Sequence, residues 1–95
     1  MALNRSQTTT FGSTTVSVAW QVPIGDFNIS CTGLTAGDAS VAVQRSFDGG
    51  STWYTIESFT ADIQKRAFEP EPGVQWRFNC TWTSGAIVCR FSAIA

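Results

Sequence analysis

Histidine is absent from this 95-residue sequence, and charged residues account for only 14% of it. Histidine is the one side chain that titrates near neutral pH without perturbation, and it is the commonest protein ligand of metal ions. Without it the chain cannot form a serine–histidine or cysteine–histidine pair for nucleophilic catalysis. We therefore expect a protein that is not an enzyme, with no catalytic residue, no metal site and no cofactor.

The sequence also lacks an excess of positive charge and any long apolar run. Six Lys and Arg residues are balanced by seven Asp and Glu residues, so the net charge is −1. Binding to nucleic acids or anionic membranes depends on a basic surface, and a membrane-spanning helix needs about 18 or more apolar residues. The first ten residues contain no apolar segment like that of a secretory signal. We therefore expect neither nucleic acid nor a membrane as a partner, and folding in a cytosol.

Apolar residues alternate with polar ones through most of the chain, and Gly, Pro or Asp residues separate the alternating segments. A period of two is typical of β-strands with one buried face. The predicted strands cover residues 14–22, 26–33, 39–46, 52–59, 61–68, 74–83 and 86–94. This spacing predicts an all-β fold, a single antiparallel β-sandwich of immunoglobulin-like proportions, with a small β-barrel as the alternative.

Two of these predicted strands, 74–83 and 86–94, are joined by Ser84-Gly85, which predicts a hairpin with a two-residue turn. Pairing outward from that turn places Cys80 opposite Cys89 and Phe78 opposite Phe91. In the first predicted strand one face collects the apolar residues Val16, Val18, Trp20 and Val22. We expect this face to be buried.

Three cysteines, at positions 31, 80 and 89, fall on predicted apolar faces. Their odd number, in a chain without a predicted signal peptide, favours buried reduced thiols. Two disulfides remain as alternatives: a cross-strand bridge between Cys80 and Cys89, and an inter-sheet bridge between Cys31 and Cys80. No four-ligand metal site can be completed from this set.

Residues 1–13 are polar and rich in hydroxyl groups, without apolar alternation. A segment of this kind at a chain end is usually mobile unless something holds it. We expect residues 1–13 to form an N-terminal arm held by a neighbouring subunit, and residues 14–95 to form the β-sandwich domain. The loops at 33–38 and 69–73 are expected to carry contacts with partners.

One local motif is recognisable in the turn between predicted strands 39–46 and 52–59. The sequence SFDGGSTW at 46–53 matches the Asp-box pattern, with Ser46, Asp48, Gly50, Thr52 and Trp53 at its specified positions. The motif resembles the repeats of sialidases and other BNR-repeat propellers, where it lies away from the catalytic centre. The resemblance implies a stabilised hairpin turn, with Asp48 as hydrogen-bond acceptor and Trp53 packed beneath, and implies no glycosidase activity.

A broader pattern covers most of residues 39–92. It comprises SVAVQRSFDGG at 40–50, an aromatic-rich strand, and EPEPGVQWRF at 69–78. This succession resembles small virion proteins of tailed bacteriophages. The resemblance implies a non-enzymatic structural protein that decorates or cements the capsid, located in the virion after assembly in the host cytoplasm. Its implied partners are other copies of the chain, in a homo-oligomer, and a major capsid or connector protein.

Two other groups of residues have side chains that could form a catalytic or binding site. Glu69 and Glu71 could suggest glycoside hydrolysis, which uses two carboxylates about 5–10 Å apart, but their place beside prolines favours solvation of a turn. Three of the four Trp residues lie on predicted core faces, whereas Tyr54 is predicted to lie on the surface. An exposed cluster of two or more aromatics would favour a carbohydrate- or cell-surface-binding module of a phage tail or head fibre instead.

Overall fold

The computed structural model describes residues 6–22, 24–34 and 39–93, and its regular elements are all strands. The nine strands are β1 (Ser6–Phe11), β2 (Thr15–Val16), β3 (Trp20–Gln21), β4 (Gly25–Thr32), β5 (Ala39–Ser46), β6 (Tyr54–Phe59), β7 (Ile63–Glu69), β8 (Gln75–Trp82) and β9 (Ile87–Ala93). Among the described residues no helix has the length and apolar character needed to cross a membrane. The loop predicted at 33–38 lies partly outside the described residues, since only positions 33 and 34 belong to them.

The strands form two antiparallel sheets that pack face to face. One sheet has the order β1-β9-β4-β7, and the other has the order β2-β8-β5-β6 with β3 also paired to β8. The prediction of a β-sandwich is confirmed, and the sheets do not close into a barrel. The strand order is that of a jelly roll and not the immunoglobulin order, because the chain crosses between sheets at most connections.

The predicted hairpin between the last two strands is wrong. β8 pairs with β5 in one sheet, whereas β9 pairs with β1 and β4 in the other. The segment around Ser84-Gly85 is therefore a corner between sheets. Phe78 and Phe91 do meet, but across the core, as stacked rings with centroids 4.0 Å apart. Alternation identified the inward faces of these two strands correctly, but it carries no information about which sheet a strand joins.

The predicted N-terminal arm is also corrected. Residues 6–11 form β1, which pairs along its whole length with β9 of the same chain. Thr8 and Thr10 face outward, and the strand ends at Phe11, which is 1% exposed in the core. Threonine favours strands because its branched side chain fits a pleated surface. Residues 1–5 lie outside the described residues.

The predicted strand at 14–22 is interrupted, and its inward face changes at residue 17. Val16 and Val18 are 41% and 77% exposed, contrary to prediction, while Trp20 and Val22 are buried as predicted. The buried Ser17 explains the change: its backbone N–H donates to the Phe78 carbonyl oxygen at 2.8 Å, and its hydroxyl accepts from the Phe78 N–H at 2.8 Å. A side-chain oxygen therefore replaces a backbone acceptor and shifts the alternation.

The other predicted strands are confirmed with small shifts in their ends. β5 spans the predicted residues 39–46 and forms the predicted hairpin with β6. β4 buries Phe27, Ile29 and Cys31. Between the sheets, Trp20, Phe27, Trp76 and Phe91 form a cluster in which Trp20 stacks on Phe91 at 5.2 Å and Phe27 meets Trp76 edge to face at 4.9 Å.

Truncation of Phe91 tests this core. Phe91 is 0% exposed and contacts rings from both sheets. We expect Phe91→Ala to lower the free energy of unfolding by about 3–5 kcal/mol, because it removes apolar burial and leaves a cavity. Urea denaturation followed by tryptophan fluorescence measures the change. Val88→Ala, on the outward face of the same strand, is the control and should change stability by about 0.5 kcal/mol or less. Equal effects of the two changes would contradict the assigned faces.

Candidate functional site

The turn at residues 46–53 is held by its own side chains. The Ser46 hydroxyl donates to Asp48 Oδ1 at 2.8 Å and accepts from the Gly50 N–H at 2.9 Å. Asp48 Oδ1 also accepts from the Thr52 N–H at 2.9 Å, and Trp53 Nε1 donates to the Gly50 carbonyl oxygen at 3.0 Å. All five positions of the motif therefore meet in one hydrogen-bonded turn.

Asp48 serves this turn as an acceptor. Hydrogen bonds from the Thr52 N–H and then from Ser46 lower the pKa of the Asp48 carboxyl. A carboxylate held in its charged form by turn donors is poorly suited to take up a proton in catalysis. Gly50 adopts a φ of 94°, which other residues rarely adopt. Trp53 is half-buried beneath Arg77, whose guanidinium carbon lies 4.3 Å from the ring centroid.

Glu69 is the one fully buried carboxylate among the described residues, and this corrects the expectation that it solvates a turn. It is 0% exposed at the end of β7. Arg45 binds it with two hydrogen bonds, Nε to Oε1 at 2.6 Å and Nη2 to Oε2 at 2.8 Å. Trp76 Nε1 donates to Oε1 at 2.9 Å, and the Glu71 N–H donates to Oε2 at 3.0 Å. Only Glu71 is exposed, as predicted.

These contacts decide the charge state of Glu69. Burial alone would raise its pKa, but the hydrogen bonds from Arg45, Trp76 and the Glu71 N–H outweigh burial and hold the pKa below its usual range. The same contact raises the pKa of Arg45. Glu69 belongs to one sheet, and Arg45 and Trp76 belong to the other. The ion pair therefore links the two sheets, and the carboxylate has no free oxygen for general acid or base work.

The three cysteines lie together in the core as free thiols. Cys31 and Cys89 are register neighbours on β4 and β9, whereas Cys80 lies on β8 in the other sheet. The cross-strand pairing of Cys80 with Cys89 is therefore wrong. The Cys31 thiol and burial raise the pKa of Cys89, and burial raises the pKa of Cys80. Cys80 and Cys89 are therefore held as neutral thiols, which are poor nucleophiles. The hydrogen bond with Cys89 lowers the pKa of Cys31. No cluster of residues suited to holding a metal ion occurs in the described ranges.

An aromatic pair projects from the surface beside the turn. Tyr54 is 49% exposed, which confirms its predicted surface position, and Phe47 is 56% exposed. Their rings are stacked with centroids 5.4 Å apart and an interplanar angle of 1°. The sequence did not single out Phe47, because it occupies a variable position of the motif. The available signal was a bulky apolar residue at a motif position that accepts any residue.

An apolar cleft of about 250 Å³ lies between β6 and β7. Ile56 and Phe68 line it and remain 52% and 59% exposed. The core residues Val43 and Trp76 also contribute to its lining, and Lys65 of β7 forms an ion pair with Glu57 of β6 across it. The cleft arises because β6 and β7 are the outer strands of their sheets. Sequence patterns did not predict this opening, since it depends on which strands end at the same side of the sandwich.

Comparison with known proteins supports the fold. The structure is similar to the crystal structure of the Yersinia pseudotuberculosis-derived mitogen, with a TM-score of 0.58 and 12% sequence identity. The match covers 94% of this chain and 84% of the mitogen chain. Identity this low shows a shared β-sandwich architecture and nothing about activity. No protein-family model and no curated protein sequence matches the chain.

Substitution of Glu69 tests its role as a link between sheets. We expect Glu69→Gln to lower the free energy of unfolding by about 3 kcal/mol, because removing one charge of a buried pair leaves the other uncompensated. This loss lies at the lower end of the range usual for broken buried ion pairs, because Arg45 keeps 22% of its side chain exposed. Glu71→Gln is the control, with an expected change below about 1 kcal/mol. Urea denaturation measures both, and similar losses would contradict the assignment.

The pH dependence of stability gives a separate test. The folded-state pKa of Glu69 is depressed, so its stabilising contribution is present above the unfolded-state pKa and is lost as pH falls through the folded-state pKa. We expect the stability gap between the wild type and Glu69→Gln to shrink between about pH 6 and about pH 3. Asp48 contributes equally to the pH dependence of stability in the wild type and in the variant, so its contribution cancels from the difference between them. A gap that stayed constant would contradict this account.

Proposed function

We propose that this chain is a non-enzymatic virion structural protein that decorates or cements a phage capsid through self-association and contacts with the major capsid protein. Support comes from the pattern resemblance over residues 39–92 to small virion proteins of tailed phages. The jelly-roll order agrees with this by analogy, since viral capsid domains often use that order. The expected location is the virion, after assembly in the host cytoplasm.

The observation that carries the proposal is the apolar surface beside β6 and β7. Phe47, Tyr54, Ile56 and Phe68 each leave about half of their surface exposed there. Isolated exposed apolar residues are ordinary, but several together on one side of a small domain mark a surface for contact with another macromolecule. A decorating protein needs such a surface, and repetition over a symmetric shell turns weak contacts into stable attachment.

A second candidate is a carbohydrate- or cell-surface-binding module. The stacked pair of Phe47 and Tyr54 favours it, because exposed aromatic faces often pack against sugar rings. Jelly rolls also serve as lectin domains. The two candidates differ in the class of partner, and the same purified protein can be tested against both.

Particle imaging tests the proposed function. Particles of the virus that carries this sequence would be produced with and without the gene and imaged by electron cryomicroscopy. We expect the deletion to remove density at lattice axes or at the neck, and added purified protein to restore it at a stoichiometry set by the symmetry of the particle.

The control is the same reconstitution with Val18→Ser, which removes an exposed apolar side chain outside that surface and should bind normally. Identical particles in both preparations, together with glycan-array binding by the free protein, would replace the proposed function with the second candidate.

A further inference from the structure

Four side chains define what we call the β6–β7 patch: Phe47, Tyr54, Ile56 and Phe68. Phe47 and Tyr54 form the stacked ring pair, while Ile56 and Phe68 line the cleft. Tyr54 and Ile56 both lie on β6, the outer strand of its sheet, so the ring pair and the cleft adjoin each other on one side of the sandwich. The patch thus combines a projecting apolar feature with an apolar recess.

The backbone around the patch is open for pairing. Within the described part of the chain, β6 pairs only with β5 and β7 pairs only with β4. Outer strands of this kind expose backbone donors and acceptors, and proteins usually protect them with charges, irregularities or a covering element. Here the register of β6 shifts beside Val43, but apolar side chains remain along the edge. A covering partner would protect both edges and the cleft.

The charges around the patch are already neutralised within the chain. Glu57 is paired with Lys65, and Asp26 with Arg66 at 3.4 Å. A partner that approaches this side therefore meets little net charge, and two identical surfaces do not repel each other. Depletion of net charge at the centre is typical of protein–protein interfaces.

The polar groups that a sugar would need are engaged elsewhere. The cationic side chains that line the cleft are both in ion pairs, Lys65 with Glu57 and Arg66 with Asp26. A sugar would compete with these ion pairs for hydrogen-bonding groups, whereas apolar side chains would leave the pairs in place. Apolar protein surface fits these features better than a saccharide does.

We propose that the β6–β7 patch is a two-fold interface between two copies of this chain, in which the ring pair of each copy enters the cleft of the other. Because the ring pair and the cleft share one side, a single two-fold axis beside β6 satisfies both contacts at once. This inference deepens the proposed function by specifying its self-association, and it rests on that part of the proposal only.

The exposed area agrees with a weak dimer. Side chains of this size bury about 150–250 Å² each, and about half of that remains exposed on the four patch residues, so two copies would remove about 600–1,000 Å² of apolar surface. This lies just below the about 1,200–2,000 Å² of specific interfaces, and adjoining rim and backbone atoms would have to supply the remaining area. We therefore expect dimerisation to depend on concentration.

Sedimentation velocity over a concentration series tests the interface. The ring-pair variant carries Phe47→Ser with Tyr54→Ser, and the cleft variant carries Ile56→Asn with Phe68→Gln. Each should weaken dimerisation by about 30-fold or more, the minimum expected for interface hot spots. The control variant carries Val18→Ser with Val88→Ser, which removes exposed apolar side chains elsewhere and should dimerise like the wild type. Circular dichroism and thermal melting confirm that each variant folds.

Mixing the two patch variants provides a test that loss of folding cannot imitate. In the mixed dimer the intact ring pair of the cleft variant meets the intact cleft of the ring-pair variant. One of the two contacts is then restored, so the mixture should dimerise more tightly than either variant alone.

Three results would overturn the interface: a wild-type chain that stays monomeric throughout, patch variants that dimerise normally, or a mixture no tighter than its components. Tyr54-dependent binding of soluble oligosaccharides by the monomer would favour the sugar-binding alternative instead. A confirmed dimer that leaves particles undecorated would refute the virion proposal and preserve the interface, so the two failures can be told apart.

Discussion

The relative positions of β5, β8 and the turn after β7 depend on the buried carboxylate of Glu69. A charge without water is tolerated only when its oxygens are fully satisfied, and here Arg45, Trp76 and the Glu71 N–H supply the donors. These groups come from β5, β8 and the turn after β7, so satisfying one side chain fixes the positions of three chain segments. The ion pair contributes little to net stability compared with apolar packing. It nevertheless specifies one arrangement, because any shift of β7 along its neighbours would leave the buried charge without hydrogen-bond donors.

β5 connects the buried ion pair of Glu69 with the exposed ring pair. Arg45 is held inward by Glu69, and its register partner on β6 is Tyr54, where the exposed ring pair begins. The turn between β5 and β6 is closed by Ser46 and Asp48, which leaves Phe47 between two fixed residues and stacked on Tyr54. The ring pair is therefore pre-organised by a buried ion pair on one side and a hydrogen-bonded turn on the other. A rigid aromatic feature loses little conformational entropy on binding, which is the condition for a small surface to bind measurably.

Sequence patterns predicted the inward faces of most strands, since a period of two is imposed by the geometry of a strand. They did not predict the partners of β8 and β9, because the same alternation is satisfied by a hairpin and by two facing sheets; Phe78 and Phe91 meet in both arrangements. Local patterns also missed the buried hydroxyl of Ser17, which changes the alternation by substituting for a backbone acceptor. For the buried carboxylate a signal did exist: Val41 and Val43 place Arg45 at an inward position, and an inward arginine requires an acidic partner. The cleft had no local signal, because it depends on the lateral order of both sheets.

The two sides of the sandwich differ in the side chains that they place beside their open strand edges. At the β1 edge the exposed side chains are Ser6, Thr8 and Thr10, whose hydroxyls keep an open strand compatible with water. At the β6 and β7 edges the chain places Tyr54, Ile56 and Phe68, which leave the strand edges and a recess into the core exposed together. The β1 side also exposes Val16 and Val18 of the other sheet, so exposed apolar side chains alone do not distinguish the two sides. The β6–β7 side differs by its cleft and its stacked rings. An open strand edge beside an apolar recess favours aggregation, and a second molecule covering it, as in the proposed dimer, would prevent this. The cleft and the stacked rings are therefore the features on which the proposed self-association rests.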